Sequence, residues 1–473
     1  MTASQTAKKV LELFSDFDER AVPGCAVGVL KYGEVILSRG FGLANLRDGR
    51  AITAETAMNI CSLAKEFTAA CLCLLEGQGR IDLKRSVCEY LPELPEFRSP
   101  VSITHLMQHT SGVRDYIELS FIEGRDFRLY STSDVVETIS RSPDLNFHPG
   151  EQCMYCNSGY VLLSEVVARV AERPLPEVVQ TLILDPLEMS GTYFHNAGSR
   201  RPDDRAVGYH FEGERFRSLE DSPSRVFGDA GMWSTLEDLL RWDANLNQSR
   251  LAGGQDLFTR MAAAGKLRDG RRLSYGLGVM LGEFRGHEMV YHSGSGAGFK
   301  GAHLRFPRHE LSVVYLSNRG QAERPMAQAR EIASMFLPGE VSSTSGDDRA
   351  PIQGFGRAIS DDVSVPPSHA GVGLGTLQDL VGSYHCADLD SSYEVILRDG
   401  ALFIELRESC RSDPFGSPIL SLTTADSGAT RDRFRVRVGP VEADITTIRA
   451  GGRVVALSLD TPRARGLYFK RLD

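Results

Sequence analysis

At 473 residues the chain is longer than a single hydrophobic core usually serves, so two domains are expected. With 42% hydrophobic and 24% charged residues it has the make-up of a soluble globular protein, and a net charge of −9 without a basic stripe argues against a nucleic-acid partner. No apolar run reaches the roughly 18 residues of a membrane span, and the polar start Met1-Thr2-Ala3-Ser4 leads into an amphipathic segment rather than a signal-peptide core.

The helical period of Val10, Leu11, Phe14 and Phe17 predicts a helix over 7–20, ended by Pro23-Gly24. Runs at 25–30 and 34–38 are strand-like, and Lys31-Tyr32-Gly33 between them suits a hairpin. In residues 54–80, Phe67, Ala70, Cys71, Leu74 and Leu75 recur at the spacing of a buried helix face, which the glycines at 77 and 79 end. Residues 100–112 read as a short helix and then a turn-rich loop, His109-Thr110-Ser111-Gly112. Further helices are expected at 133–141, 158–171 and 235–247. Apolar runs at 275–281, 288–292, 301–306 and 311–317 look like successive antiparallel strands, and a helix at 322–336 closes a first domain spanning 1–337.

Residues 338–373 are dominated by Gly, Ser, Pro and Asp with no apolar period, which predicts a linker. From 374 to 473 short alternating runs return at 392–397, 401–406, 434–438, 454–459 and 467–469. Turns such as Arg398-Asp399-Gly400 separate them, so a small antiparallel β-barrel or sandwich is expected. The nine cysteines are scattered without framework spacing, and Cys71 and Cys73 sit in apolar sequence. They read as reduced core residues of a cytoplasmic protein.

Three stretches can carry chemistry. Ser62 and Lys65 stand three apart where the helix of 54–80 begins, so both side chains share one face. A serine hydroxyl is a weak nucleophile until a neighbouring base takes its proton, and a buried amine can be that base. Free N–H groups at a helix start suit a developing negative charge. Tyr155 and Asn157 lie two apart in an extended loop and can point the same way. A phenol beside an amine can relay protons, and an amide can orient a carbonyl; the plainer alternative is a tyrosine that anchors a loop. Tyr291-His292-Ser293-Gly294-Ser295-Gly296 ends a predicted strand, where glycine permits close approach of another backbone.

In their order and spacing, Ser62-Leu63-Ala64-Lys65, Tyr155-Cys156-Asn157 and His292-Ser293-Gly294 resemble the three motifs of the penicillin-recognising SxxK serine enzymes. The class C β-lactamase-like hydrolases are the nearer match, because their third motif often begins with His. The similarity runs over about residues 20–336, through His109-Thr110-Ser111-Gly112-Val113-Arg114-Asp115-Tyr116, Gly228-Asp229-Ala230-Gly231 and Tyr275-Gly276-Leu277-Gly278. Within that superfamily the chain is most similar to D-aminopeptidases and D-stereospecific amidohydrolases, although 374–473 accommodates one C-terminal barrel where that pattern has two.

The resemblance implies an α+β fold: a β-lactamase/transpeptidase-like domain, an antiparallel sheet flanked by helices, then a small lipocalin-like β-barrel. It implies that Ser62 is the acylated nucleophile, Lys65 its proton acceptor and Tyr155 the proton shuttle to the leaving group. Asn157, His292, Gly294 and Ser295 would bind substrate, with the N–H groups of Ser62 and Ser295 as oxyanion hole. Whether Lys65 or Tyr155 is the acylation base stays open. No cofactor and no metal are expected. The partner is a small molecule or short peptide, with neither nucleic acid nor membrane involved; a homodimer is one option for assembly.

The expected activity is a D-aminopeptidase or amidase. An esterase or a peptide-cyclising acyl transferase would use the same site, and a non-catalytic binding protein is the alternative from another class. Other motifs lack their context. Gly296-Ala297-Gly298-Phe299-Lys300-Gly301 precedes a strand-like run rather than a helix, and Cys153-Met154-Tyr155-Cys156 has no second cysteine pair.

Overall fold

The computed structural model describes residues 3–14, 17, 21–195, 205–212, 214–219, 223–248, 250–251, 256–320, 324–339, 349–353, 378–389, 391–398, 401–406, 420–421, 423–424, 433–438, 441–450 and 453–472. They form two compact units: Met1–Leu91, Ser102–Gln108 and Tyr160–Pro351 make one, and Pro92–Val101, His109–Gly159 and Ile352–Asp473 the other.

The first unit is built on a six-stranded antiparallel sheet. Its strands are β1 (Cys25–Lys31), β2 (Glu34–Phe41), β3 (Met280–Phe284), β4 (His287–Gly296), β5 (Phe299–Phe306) and β6 (Leu311–Ser317). They run in the order β3-β4-β5-β6-β1-β2. Tyr32 and Gly33 join β1 to β2 with φ of 54° and 78°, the doubly positive turn whose twist matches a hairpin. The centre of the sheet joins distant sequence, with Cys25 opposite Ser317 and Lys31 opposite Leu311. Both central strands are apolar along almost their whole length because both faces are covered.

On one face Val27, Val29, Val313 and Tyr315 pack with Val10, Phe14, Ile332 and Phe336, drawing in the helices Ala3–Leu13 and Pro325–Phe336. On the other face the helix Leu236–Gln248 lies so close that a Cβ on Gly28 would stand 2.7 Å from the Leu236 side chain. That face also carries the turn Cys61–Leu63 and the helix Ala64–Gly77, in which every residue from Ala64 to Leu75 is buried. Phe67 stacks against Trp242 at 4.8 Å between ring centres. Burial of each such side chain contributes roughly 2–3 kcal/mol.

The second unit contains a nine-stranded antiparallel sheet. Its strands are β7 (Gly382–Cys386), β8 (Ser391–Arg398), β9 (Ala401–Leu406), β10 (Leu420–Ser421), β11 (Thr423–Thr424), β12 (Arg433–Val438), β13 (Val441–Ala450), β14 (Arg453–Asp460) and β15 (Leu467–Arg471). The order is β10-β9-β8-β7-β15-β14-β13-β12-β11, so the described ladder is open and ends in β10 and β11. The closed barrel expected from the sequence is not among the described pairings. Tyr393 and Phe469 meet edge to face in its core, 5.1 Å between ring centres.

Of the expected linker at 338–373, residues 340–348 and 354–373 lie outside the described residues. Eight cysteines are described, all without a disulfide and seven of them buried. Burial pushes the Cys61, Cys73, Cys153 and Cys156 thiols up to about 12. Among the described residues no helix is long and apolar enough to cross a membrane.

Candidate active site

Ser62 sits where a turn becomes a helix. Cys61 before it has a φ of 50°, in the left-handed region, and its N–H donates to the Asn59 side-chain oxygen at 2.8 Å. A non-glycine residue held there stores on the order of 1–3 kcal/mol of strain. Ser62 is half-buried in the middle of the turn Cys61–Leu63, and Lys65, one turn on, is fully buried. The Lys65 side-chain nitrogen Nζ lies 3.3 Å from the Ser62 hydroxyl oxygen and donates to the Asp229 carbonyl at 2.8 Å. It also lies 5.5 Å from the centre of the Tyr160 ring.

Gly228 explains why the Asp229 carbonyl is available. Its φ is 102°, and a Cβ there would stand 2.2 Å from the Tyr160 carbonyl oxygen. The Gly228 carbonyl in turn accepts from the Thr68 hydroxyl at 2.9 Å. Glycine therefore lets this loop run along the first turns of the Ser62 helix, within reach of Lys65.

Glu66, the neighbour of Lys65, enters a buried ionic network. Arg305 donates to both Glu66 oxygens, at 2.9 and 3.3 Å, and to Asp243 at 2.5 Å. Trp242 donates to Glu66 at 3.2 Å, and His303 lies 3.0 Å from Asp243. Burial raises the pKa of both carboxylic acids, yet the Arg305 guanidinium outweighs it and both are held below the ordinary range. Removing one partner from such a network typically costs 3–5 kcal/mol, that is roughly the stability of a small domain. The network ties the Ser62 helix to β5 and to the helix Leu236–Gln248.

His292, Ser293, Gly294 and Ser295 lie on β4. His292 is fully buried, with Nε2 3.0 Å from the Tyr275 hydroxyl and Nδ1 2.8 Å from the Ser293 carbonyl. A carbonyl only accepts, so Nδ1 carries the proton and Nε2 accepts from Tyr275. Burial, and after it the nearby Lys65 charge, bring the His292 pKa down to about 4, which leaves the ring neutral at pH 7. A Cβ on Gly294 would stand 2.5 Å from the Ile60 carbonyl oxygen and 3.2 Å from the Ser62 amide nitrogen. The missing side chain thus seats the turn that carries Ser62 against β4. Ser295 is exposed, and its hydroxyl accepts from Lys300 at 2.6 Å.

Tyr155 and Asn157 belong to the second unit. The Tyr155 ring stacks on His109, 4.4 Å between centres, and its N–H donates to the Gln353 carbonyl at 2.9 Å. His109 itself has a φ of 58°, and its Nδ1 accepts from the Cys156 N–H at 3.1 Å. The His109–Gly112 loop is tied to the same stretch by Gly150 donating to Thr110 and Asn146 donating to Gly112. Asn157 opens the helix Asn157–Ala171, and both its N–H and its side-chain amide donate to Asp115, at 2.6 and 3.0 Å.

The structure therefore gathers Ser62, Lys65, His292, Gly294 and Ser295 in the first unit and Tyr155 with Asn157 in the second. The supporting groups Asp229, Tyr275 and Asp115 were not picked out from the sequence as site residues. Each lies in a stretch that carried the family resemblance, which was the available signal.

The beta-lactamase family pattern matches residues 10–334. A D-aminopeptidase of Brucella anthropi is 26% identical over 455 residues, covering 91% of this chain and 82% of that protein. A penicillin-binding protein of Bacillus subtilis (strain 168) is 27% identical over 463 residues, covering 93% and 94%. The octameric penicillin-binding protein homologue from Pyrococcus abyssi shares the fold with a TM-score of 0.62 at 21% identity, over 99% of this chain and all of that one.

Proposed function

The chain belongs to the beta-lactamase family and is a serine hydrolase of the SxxK type, and on that premise we propose that it works through an acyl-enzyme on Ser62 to release N-terminal D-amino acids from small amides or short peptides. The observation that carries the mechanism is the Ser62–Lys65 contact at 3.3 Å, with Lys65 buried and anchored on the Asp229 carbonyl. The Ser62 oxygen attacks the acyl carbonyl and its proton passes to the Lys65 amine. The carbonyl oxygen, now an anion, takes hydrogen bonds from the Ser62 and Ser295 N–H groups. Tyr155 hands its hydroxyl proton to the departing amine as the C–N bond breaks and is reprotonated by the proton Lys65 took from Ser62, while Asn157 orients the acyl group. Water then attacks the acyl-enzyme: its oxygen joins the acyl carbon, the bond to Ser62 breaks and one proton of the water restores the Ser62 hydroxyl.

The neutral His292 supports amides over carboxylate-bearing β-lactams, because an uncharged ring at that third-motif position does not form an ion pair with a carboxylate. The D-aminopeptidase relatives, one matching over 91% of the chain, support the D-specific reading. Closure of the nine-stranded sheet into a lipocalin-like barrel and a cytoplasmic location, which the buried reduced thiols suit, are parts of the same proposal.

The test compares D-alanine p-nitroanilide, its L-isomer, the N-acetylated D-compound and p-nitrophenyl esters. Faster turnover of the D-anilide and loss on N-acetylation support the reading. Rapid ester cleavage with neither anilide touched replaces it by an esterase and leaves the Ser62 chemistry intact.

A further inference from the structure

The second motif is held in place by residues from the far end of the chain, within the same compact unit. Asp115 is fully buried, and its Oδ2 accepts both the N–H and the side-chain amide of Asn157. A carboxylate only accepts, so this contact fixes which way the Asn157 amide faces. The cation on Asp115 is Arg463, at 3.4 Å, in the turn between β14 and β15. Arg463 also pairs with the buried Glu118 at 2.8 Å, and its N–H donates to the same carboxylate at 2.6 Å. Its carbonyl accepts from the Asp115 N–H at 3.0 Å and from Asn146 at 2.9 Å. The neighbouring Arg114 guanidinium is turned to Ser142 and Asp388. Two buried carboxylates thus share one guanidinium, supplied from 306 residues after Asn157 in the sequence (463 minus 157).

A second hold acts on Tyr155. Gln353 donates to the Cys153 carbonyl and accepts from the Tyr155 N–H, both at 2.9 Å, bracketing Met154 in a parallel bridge. The Gln353 side-chain oxygen accepts from Arg465 at 3.0 Å, two residues beyond Arg463. The 461–466 turn and the residue-353 segment therefore brace each other and the second motif.

We infer that Arg463 is a positioning residue for the acyl-transfer reaction, acting through Asp115 to orient Asn157, so that the C-terminal sheet is part of the catalytic apparatus rather than an appendage. This rests on the proposed role of Asn157 in orienting the acyl group, and not on which acyl group is cleaved. With Arg463 gone, Asp115 and Glu118 are left buried without their shared counter-charge and the Asn157 amide loses its fixed acceptor. A small misplacement of an orienting group lowers the rate of the chemical step with little change in binding.

The test is a double-mutant cycle in the full-length protein with Arg463→Met, Asn157→Ala and the pair, read as kcat and KM on D-alanine p-nitroanilide and on p-nitrophenyl acetate. Melting temperature and fluorophosphonate labelling of Ser62 check that each variant is folded. We expect Arg463→Met to lower kcat by roughly 10–100-fold with KM within about twofold, and to cost less than about threefold once Asn157 is already alanine. Arg463→Lys keeps the charge and should recover most of the rate; if the Met variant fails to fold, the same cycle run with Arg463→Gln must show the same coupling. Additive effects, or an unchanged kcat in folded Arg463→Met, would overturn the inference. If Asn157→Ala alone leaves kcat unchanged, the role assigned to Asn157 fails and the inference with it. Because either substrate serves for the cycle, failure of the D-specific reading shows separately, as ester turnover without anilide turnover.

Discussion

The carbonyl of Asp229 accepts a hydrogen bond from the Lys65 Nζ at 2.8 Å, and only a glycine at 228 permits that approach. A Cβ at 228 would lie 2.2 Å from backbone oxygen, under a φ of 102°. Gly228→Ala should therefore displace the Asp229 carbonyl from Lys65 and cost about 1–3 kcal/mol of stability. Thermal unfolding together with the Ser62 acylation rate measures it: both should fall. Unchanged acylation in a destabilised protein would show that the Asp229 contact does not serve Lys65.

Gly294 bears on Ser62 directly. Gly294→Ala places a methyl against the Ile60 carbonyl and close to the Ser62 amide, so the turn that carries Ser62 must shift. Displacement by a fraction of an ångström to 1 Å costs up to about 10²-fold in rate. Stopped-flow acylation by an activated ester should show that loss with circular dichroism unchanged. A wild-type rate would remove Gly294 from the site.

Much of this was legible in the sequence, and what was not has physical causes. Local features came through: the helix under Ser62, the capped helix Thr132–Arg141, the 31–33 hairpin turn and four of the runs that became β3 to β6. The apolar pattern predicts the first of those strands at 275–281, but β3 begins at Met280, because Gly276 and Gly278 bend the chain into a turn closed by Gly276 donating to Val279. Strands β7 and β13 were not recognised: the first is the short mixed run Gly-Ser-Tyr-His-Cys, and the second is diluted by Glu, Asp and Arg. The pairing of β1 with β6 and the reach of Arg463 to Asp115 join residues about 290 and about 350 apart, and no local pattern encodes such contacts.

His292 gives a pH prediction. Its pKa is brought down to about 4 in the folded protein from an ordinary value of 6.5, so between these values the unfolded chain binds the extra proton. Its contribution to stability is complete above about pH 6.5 and is lost by up to roughly 1.4 kcal/mol per pH unit as the pH falls toward 4. Denaturant melts of wild type and His292→Gln across that window should differ in slope, with the variant shallower. Parallel slopes would mean that His292 does not titrate in this way.

Tyr155 is fixed by its backbone and by stacking on His109, and neither contact needs the hydroxyl. Tyr155→Phe should therefore fold normally. If the phenol relays protons, turnover should drop by about 10²–10⁴-fold. Steady-state kinetics decide between this role and a loop anchor, for which the rate would stay at the wild-type value.

The most direct measurement is intact-mass and peptide-level mass spectrometry after incubation with a fluorophosphonate probe. One adduct per chain, located on Ser62 and absent from the Ser62→Ala protein together with all turnover, is the expected result. An adduct on another residue of Ser62→Ala protein that still turns over substrate would contradict the assignment of the nucleophile.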